Sequence, residues 1–142
     1  MFRQIEHSAD LAVIVEAPTR EELFREALNA ARSLLVTDAT KKSAELPQAD
    51  RDSRLIVASG FDDEERLVGL LNELLHLIQY ERWLPVRVDD LELDGDRVQA
   101  RLAGLSGGAR MPRLIREVKA ATYHDLHITR GKVWSVRIVF DV

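Results

Sequence analysis

The chain has 142 residues, of which 46% are hydrophobic and 31% are charged, and its net charge is −4. These values are typical of one soluble domain with a hydrophobic core, so we expect a single domain over residues 1–142. Because the sequence contains no cysteine, it excludes disulfides, zinc–thiolate sites, iron–sulfur clusters and thiol nucleophiles, and any metal ion must bind through oxygen or histidine.

The first predicted elements are a strand and a helix. Residues 6–16 contain a short apolar and β-branched run, Leu11–Val15, which suits a buried strand. After it, Thr19 is followed three residues later by Glu22, which is the pattern of a helix-capping box. Apolar residues then recur at helical spacing, so we predict a helix over about residues 20–35.

A polar connection, a short strand and a second helix follow. Residues 37–52 contain a proline and few apolar residues, which predicts an irregular connection, and residues 55–59 predict a short strand. Asp62 can cap the second helix, with Glu65 at its third position, and the helix should run to about Tyr80. Its wide apolar stripe consists of Leu67, Leu70, Leu71, Leu74, Leu75, Leu77 and Ile78.

The C-terminal part of the sequence predicts paired strands. After Pro85 the apolar period is two, and it is interrupted by Asp94-Gly95 and then resumes, which predicts a β-hairpin. Residues 104–112 predict a flexible loop, and residues 117–129 and 132–142 predict two strands. We therefore predict an α+β fold with two amphipathic helices on a largely antiparallel sheet, and expect one face of the last strand to be lined by Trp134, Val136, Ile138 and Phe140.

Charge is distributed unevenly along the sequence. Residues 1–96 contain 21 acidic and 11 basic residues, whereas residues 97–142 contain 3 acidic and 9 basic residues. Such segregation is compatible with a mixed solvated surface, because distant segments can interleave in space. The alternative is a basic face for a partner, formed by Arg97, Arg101, Arg110, Arg113, Arg116 and Lys119.

The histidines do not form a recognisable catalytic or zinc motif. His124 and His127 are three residues apart, a spacing that directs side chains to opposite faces of a strand and makes a poor zinc site. His76 lies in the leucine-rich face of the second helix without an HExxH motif, so we interpret it as a hydrogen-bonded structural residue. His7 is next to Ser8, but neighbours on an extended chain point apart and no acid can be assigned to the histidine.

Two further patterns give no functional indication. The acidic residues of the predicted hairpin do not match the spacing of an EF-hand loop, so we interpret them as turn and strand-edge residues: Asp89, Asp90, Asp94 and Asp96. The glycine-containing loop after residue 104 lacks the Gly-Lys-Ser/Thr ending of a phosphate-binding loop. The sequence therefore does not predict autonomous nucleotide hydrolysis.

Two aspartates occur in unfavourable positions for this residue type. Asp10 directly precedes the apolar run Leu11–Val15, and Asp141 interrupts an apolar tail, although aspartate is a poor strand former. Val142, the last residue of the sequence, would add a free α-carboxylate beside Asp141. Such oxygen donors suit calcium or magnesium, and the alternative is that both aspartates are solvated strand ends. The pattern alone does not bring Asp10 to Asp141.

Three sequence blocks, in their order and spacing, resemble the archease family: His7-Ser8-Ala9-Asp10, Val118-Lys119-Ala120-Ala121-Thr122-Tyr123-His124 and Val139-Phe140-Asp141-Val142. The acidic run Asp62–Glu65 and the leucine-rich run Leu70–Leu75 are similar to the family's second helix. The resemblance covers essentially the whole chain. One departure is the basic and apolar segment 110–115, where archeases often have an acidic residue and a histidine.

The resemblance implies a metal site and a partner. Archeases are cytoplasmic partners of RtcB-type RNA ligases, which join RNA ends with GTP and a divalent metal in tRNA splicing or RNA repair. The family's metal-binding positions fall on Asp10, Asp141 and Val142, with calcium expected and magnesium or manganese as alternatives. The family's lysine near this pocket falls on Lys119, which could balance the carboxylate charge when no metal is bound. RNA would be contacted indirectly, through the ligase.

The leading hypothesis is an accessory protein that activates such a ligase, by promoting GMP loading or by resetting the enzyme after turnover, and that catalyses no complete reaction itself. The alternatives are a stand-alone metal-dependent hydrolase and an RNA-binding or chaperone module. We expect a cytoplasmic protein without membrane association, since no stretch approaches the roughly 18 apolar residues of a membrane span and no signal peptide is recognisable.

Overall fold

The computed structural model contains two helices and eight strands in the residues that it describes, which are 1–7, 10–36, 52–106 and 112–142, and it gives no side-chain detail for residues 5–7. In chain order, the elements of these residues are β1 (Phe2–His7), β2 (Asp10–Ala17), α1 (Arg20–Leu35), β3 (Asp52–Ser59), α2 (Asp63–Gln79), β4 (Leu84–Asp94), β5 (Arg97–Leu105), β6 (Ala120–Ala121), β7 (Ile128–Arg130) and β8 (Trp134–Asp141).

The strands are divided between two sheets. The five-stranded sheet has the order β1-β2-β8-β6, and β7 also pairs with β8, while the three-stranded sheet has the order β3-β5-β4. Every one of these pairings is antiparallel. The predicted α+β class with two helices on antiparallel strands is confirmed, and the strands form two sheets where the sequence suggested one.

Both helices begin at the predicted caps. The Thr19 hydroxyl accepts the Glu22 N–H at 3.2 Å, and the Asp62 carboxylate accepts the Glu65 N–H at 2.8 Å. Each cap satisfies a backbone donor that the first helical turn leaves without a partner. No helix within the described ranges is long and apolar enough to cross a membrane.

The core lies between the helices and one face of each sheet. Alternation along β2 and β8 directs Val13, Val15, Val136, Ile138 and Phe140 to this inner face, where each is at most 1% exposed. The buried stripes of α1 and α2 belong to the same apolar cluster. The predicted apolar face of the last strand is therefore confirmed. The opposite face of the five-stranded sheet is called here the outer face.

Three predictions about strands need correction. The N-terminal strand was predicted from residue 6, but residues 2–7 form the separate strand β1, which pairs with β2 in a hairpin. Residues 117–129 were predicted as one strand, but only β6 and β7 pair with β8, since a turn in which the Leu126 N–H bonds to the Tyr123 carbonyl separates them. Gly104 was assigned to a loop but belongs to β5.

Two predicted irregular segments cannot be compared with the structure. Residues 37–51 make up almost all of the predicted polar connection, and they lie outside the described residues. The same is true of residues 107–111, which include Arg110 and most of the predicted flexible loop.

Replacing the Asp62 cap tests the start of α2. We expect Asp62→Ala to lower the free energy of unfolding by about 1 kcal/mol, because the Glu65 N–H loses its acceptor. Asp62→Asn should change stability far less, since asparagine caps helices about as well as aspartate. Urea denaturation of the two variants measures the difference, and equal stabilities would show that the cap contributes nothing.

Candidate functional site

The register of β2 and β8 brings the two predicted metal-binding aspartates together. Asp10 is the first residue of β2, Asp141 is the last residue of β8, and the two are directly opposite each other in the antiparallel ladder. Directly opposite residues project from the same face, with Cβ atoms roughly 4.5–5.5 Å apart. The sequence pattern could not establish this pairing of residues 131 positions apart.

The outer face of the sheet carries this pair. Because Phe140 and Val13 point into the core, the alternating positions on the same strands point to the outer face. A cavity of about 160 Å³ lies on this face, and its lining residues are Asp10, Ala12, His124, Asp125, Arg137 and Val139. Asp10 therefore faces this open cavity together with other polar side chains, and the cavity has room for water molecules or a small ligand.

The turn between β6 and β7 supplies one wall of this cavity. Asp125 has the left-handed backbone angle φ = +49°, and its carboxylate lies 3.3 Å from His124 Nε2 and 3.9 Å from Arg137 Nη1. Arg137 thus links β8 to the turn. His124 was predicted on a strand face, whereas it lies in this turn and is exposed, as is His127.

Sequence reasoning overlooked Asp125 and Arg137 as residues near the candidate site. Arg137 could have been found, because it precedes Asp141 by four positions on a strand and must share its face. Asp125 had no such signal, since its position depends on an irregular turn.

Lys119 is anchored to Asp141 through the backbone. Its N–H donates to the Asp141 carbonyl at 2.8 Å, while the next residue, Ala120, is the register partner of Asp141. Lys119 and Ala120 are therefore both opposite Asp141, as in a β-bulge. Such a bulge often redirects a side chain beside a functional site. The structure brings Lys119 to the same end of the sheet as both aspartates, and its side chain is exposed.

The donor set at this end of the sheet suits a hard cation. Asp10 and Asp141 supply carboxylate oxygens, and Val142, which follows β8 and is 40% exposed, carries a main-chain oxygen. In the part of the chain that the structure describes, no group of three or more histidine, aspartate or glutamate side chains could hold a metal ion. A cation here would therefore complete its coordination with backbone oxygen, water or a partner's ligands, and the metal assignment stays a prediction.

Two arginines of the basic segment lie opposite acidic residues. On the three-stranded sheet, Arg97 is directly opposite Asp94, and Arg101 is directly opposite Asp90. Arg116 donates instead to the Leu34 carbonyl at 3.0 Å, which holds its guanidinium against the end of α1. This arrangement favours a mixed surface over a continuous basic face at these positions.

The prediction that His76 is a structural residue within the leucine-rich face was wrong. His76 is exposed, and its ring stacks on Tyr80 with a centroid separation of 5.2 Å. It lies one residue beyond the buried Leu75 and outside the apolar stripe of α2. His76 is therefore a surface residue.

Comparisons of the sequence extend over nearly the whole chain. Residues 2–142 match the model of the archease protein family (MTH1598/TM1083). Protein archease from Pyrobaculum neutrophilum is 33% identical over 148 residues, which cover 99% of this chain and 95% of the relative. Protein archease from Methanosarcina barkeri is 29% identical over 146 residues, with the same two coverages.

Two solved structures share the fold. The crystal structure of an archease from Thermotoga maritima, described as a possible chaperone, has a TM-score of 0.60 at 23% identity and covers 100% of this chain and 98% of its own. The solution structure of Methanobacterium thermoautotrophicum protein 1598 has a TM-score of 0.67 at 19% identity, covering 99% and 98%. The sequence match to the family over residues 2–142, together with this fold, shows that the chain belongs to the archease family.

Proposed function

We propose that this chain is a metal-binding accessory protein that activates an RtcB-type RNA ligase and catalyses no complete reaction of its own. Membership of the archease family supports the proposal. The single observation that carries it is the direct register of Asp10 with Asp141, with Lys119 bonded through its N–H to the Asp141 carbonyl. The family resemblance predicts a metal site at Asp10, Asp141 and Val142, with Lys119 near the pocket.

Electrostatics favours a cation at this pair. Like charges directly opposite each other destabilise an antiparallel ladder, so two facing carboxylates on the outer face are unfavourable unless a positive charge neutralises them. Calcium prefers several oxygen ligands in flexible geometry, which matches two carboxylates and a main-chain oxygen of Val142. Magnesium or manganese is the alternative. When no metal is bound, the ammonium group of Lys119 could partly balance the same charge.

The proposed site acts by contacting the ligase near the metal and guanylate site of the ligase. The Asp10–Asp141 end of the sheet is accessible, because both aspartates lie at strand ends and Asp141 is exposed. There the chain would promote GMP loading onto the ligase or reset the ligase after turnover. The bound cation would supply positive charge at that contact, and RNA would be reached through the ligase.

Multiple-turnover RNA ligation tests the proposal. The cognate RtcB-type ligase would be assayed with GTP and divalent metal, with and without this protein at substoichiometric amounts. We expect the protein to raise the number of turnovers per ligase, and to stimulate formation of the ligase–guanylate intermediate in the absence of RNA. A folded, calcium-loaded sample that leaves both quantities unchanged would contradict the proposal, and RNA hydrolysis by the protein alone would point to a metal-dependent hydrolase.

A further inference from the structure

Two side-chain amides on α2 bind the segment that carries Lys119. Asn72 Nδ2 donates to the Ala121 carbonyl at 3.3 Å, and Asn72 Oδ1 accepts the Ala121 N–H at 2.8 Å. Gln79 Nε2 donates to the Val118 carbonyl at 2.8 Å, and Gln79 Oε1 accepts the Val118 N–H at 2.8 Å. Each amide therefore makes the two hydrogen bonds that an adjacent strand would make to a residue of a sheet.

The spacing of the two amides matches the spacing of their targets. Asn72 and Gln79 are seven helical residues apart, which is roughly 10.5 Å along the helix axis. Val118 and Ala121 are separated by three extended residues, which span roughly 10 Å. In a regular strand, residues that face the same side are two or four positions apart. Such a pair would span about 3 Å less or about 3 Å more than the distance between the two amides.

The two amides thus hold one extra residue in the strand. Val118 is 0% exposed and Ala121 is 4% exposed, so both point inward although three positions separate them. Strict alternation would instead give Lys119 and Ala121 the same inward face. Lys119 is exposed, and its N–H bonds to Asp141 on the opposite side of the segment from α2.

We propose that Asn72 and Gln79 are positioning residues for the site at Asp10 and Asp141. Their amides fix the bulge at Lys119 and Ala120, which keeps Lys119 out of the core and sets its distance from the Asp141 backbone. The role assigned to the site rests on the proposed function, whereas the positioning itself rests on the hydrogen bonds alone. Neither residue contacts the cation or the ligase in this scheme.

The test uses the full chain with the variants Asn72→Asp and Gln79→Glu. Each substitution keeps the oxygen that accepts a backbone N–H, but it removes the donor and sets a carboxylate oxygen against a carbonyl. Glu73→Gln is the matched control, because Glu73 is exposed on the same helix. This substitution replaces a carboxylate by an amide, whereas the two test variants replace an amide by a carboxylate. Circular dichroism first confirms that every sample is folded.

Amide hydrogen exchange followed by NMR separates positioning from general stability. We expect the Lys119 N–H to exchange at least tenfold faster in both variants, while Ala100, in the middle strand of the three-stranded sheet, changes much less. Calcium titration of the same samples should show an affinity loss of roughly 10–100-fold, the usual effect of losing an outer-shell hydrogen bond, because the Lys119 N–H would no longer anchor Asp141. The control should match the wild type in both measurements.

Several results would overturn the inference. Equal acceleration at Lys119 and Ala100 would show that the amides contribute only to global stability, and unchanged Lys119 exchange would show that they do not hold the bulge. Unchanged calcium affinity with accelerated Lys119 exchange would overturn the link to the site. If the wild type itself showed no response to calcium, the metal part of the proposed function would fail, while selective exchange at Lys119 would still support positioning.

Discussion

Asp141→Asn is expected to abolish stimulation of the ligase while the protein stays folded. The substitution removes one of two facing carboxylates, so calcium affinity should fall by more than the roughly 100-fold that loss of an outer-shell partner can cost. Without calcium, the variant should be more stable than the wild type by about 0.2–1 kcal/mol, because the like-charge pair is gone. Ligation turnover and thermal unfolding with and without calcium measure these effects.

Asp141→Asn should raise stability in the absence of calcium but remove the stabilisation that calcium gives. These opposite effects make the experiment specific. Calcium should raise the unfolding temperature of the wild type, since a ligand that binds only the folded state stabilises it, and should not raise that of the variant. Asp96→Asn, at an exposed position in the β4–β5 turn, is the control and should behave like the wild type. Full stimulation of the ligase by a folded Asp141→Asn protein would refute the role of this carboxylate.

Among glycine-to-alanine substitutions at the glycines that the structure describes, Gly104→Ala is expected to cause the largest loss of stability. A Cβ atom at Gly104 would lie 2.3 Å from the Leu84 carbonyl oxygen and 2.5 Å from Cη2 of Trp83. Trp83 is 1% exposed, and Leu84 is paired in β4, so neither group can move away cheaply. We expect a destabilisation of about 3 kcal/mol, at the upper end of typical overpacking costs.

Thermal unfolding measures the effect of Gly104→Ala as a decrease of roughly 10 °C in the midpoint. Gly131→Ala is the matched control, because a Cβ atom there would meet no atom within 4 Å. The control should be neutral or slightly stabilising, since alanine restricts the unfolded chain more than glycine. Equal midpoints for the two variants would show that β4 and β5 adjust to the added carbon.

Local patterns were sufficient for the helices and the central hairpin. The cap at Thr19 and the apolar spacing after it predicted α1 over residues 20–35, which are its observed bounds. The same signals placed α2, and the Asp94-Gly95 turn placed the β4–β5 hairpin. These features depend on residues close in sequence, so hydrophobic periodicity and capping chemistry are enough to define them.

Local patterns failed where a distant contact decides the structure. Gly104 was assigned to a flexible loop with residues 105–112, but β5 needs a residue without Cβ at this position, where the Trp83 ring and the Leu84 carbonyl lie close to the backbone. The segment around Lys119 was predicted as regular strand, because nothing nearby in sequence reveals that Asn72 and Gln79 impose an extra residue.

The sequence by itself determined the chemistry available at the candidate site: no thiol ligands, two aspartates in unfavourable strand positions, and a lysine in a block that resembles the archease family. Only the tertiary structure decided that Asp10 stands opposite Asp141 and that Lys119 is bonded to the same residue. The physical reason is that strand register is fixed by the burial of whole faces, and a shift of one residue would turn every side chain to the other face. That constraint acts between β2, β6 and β8, which are far apart along the chain.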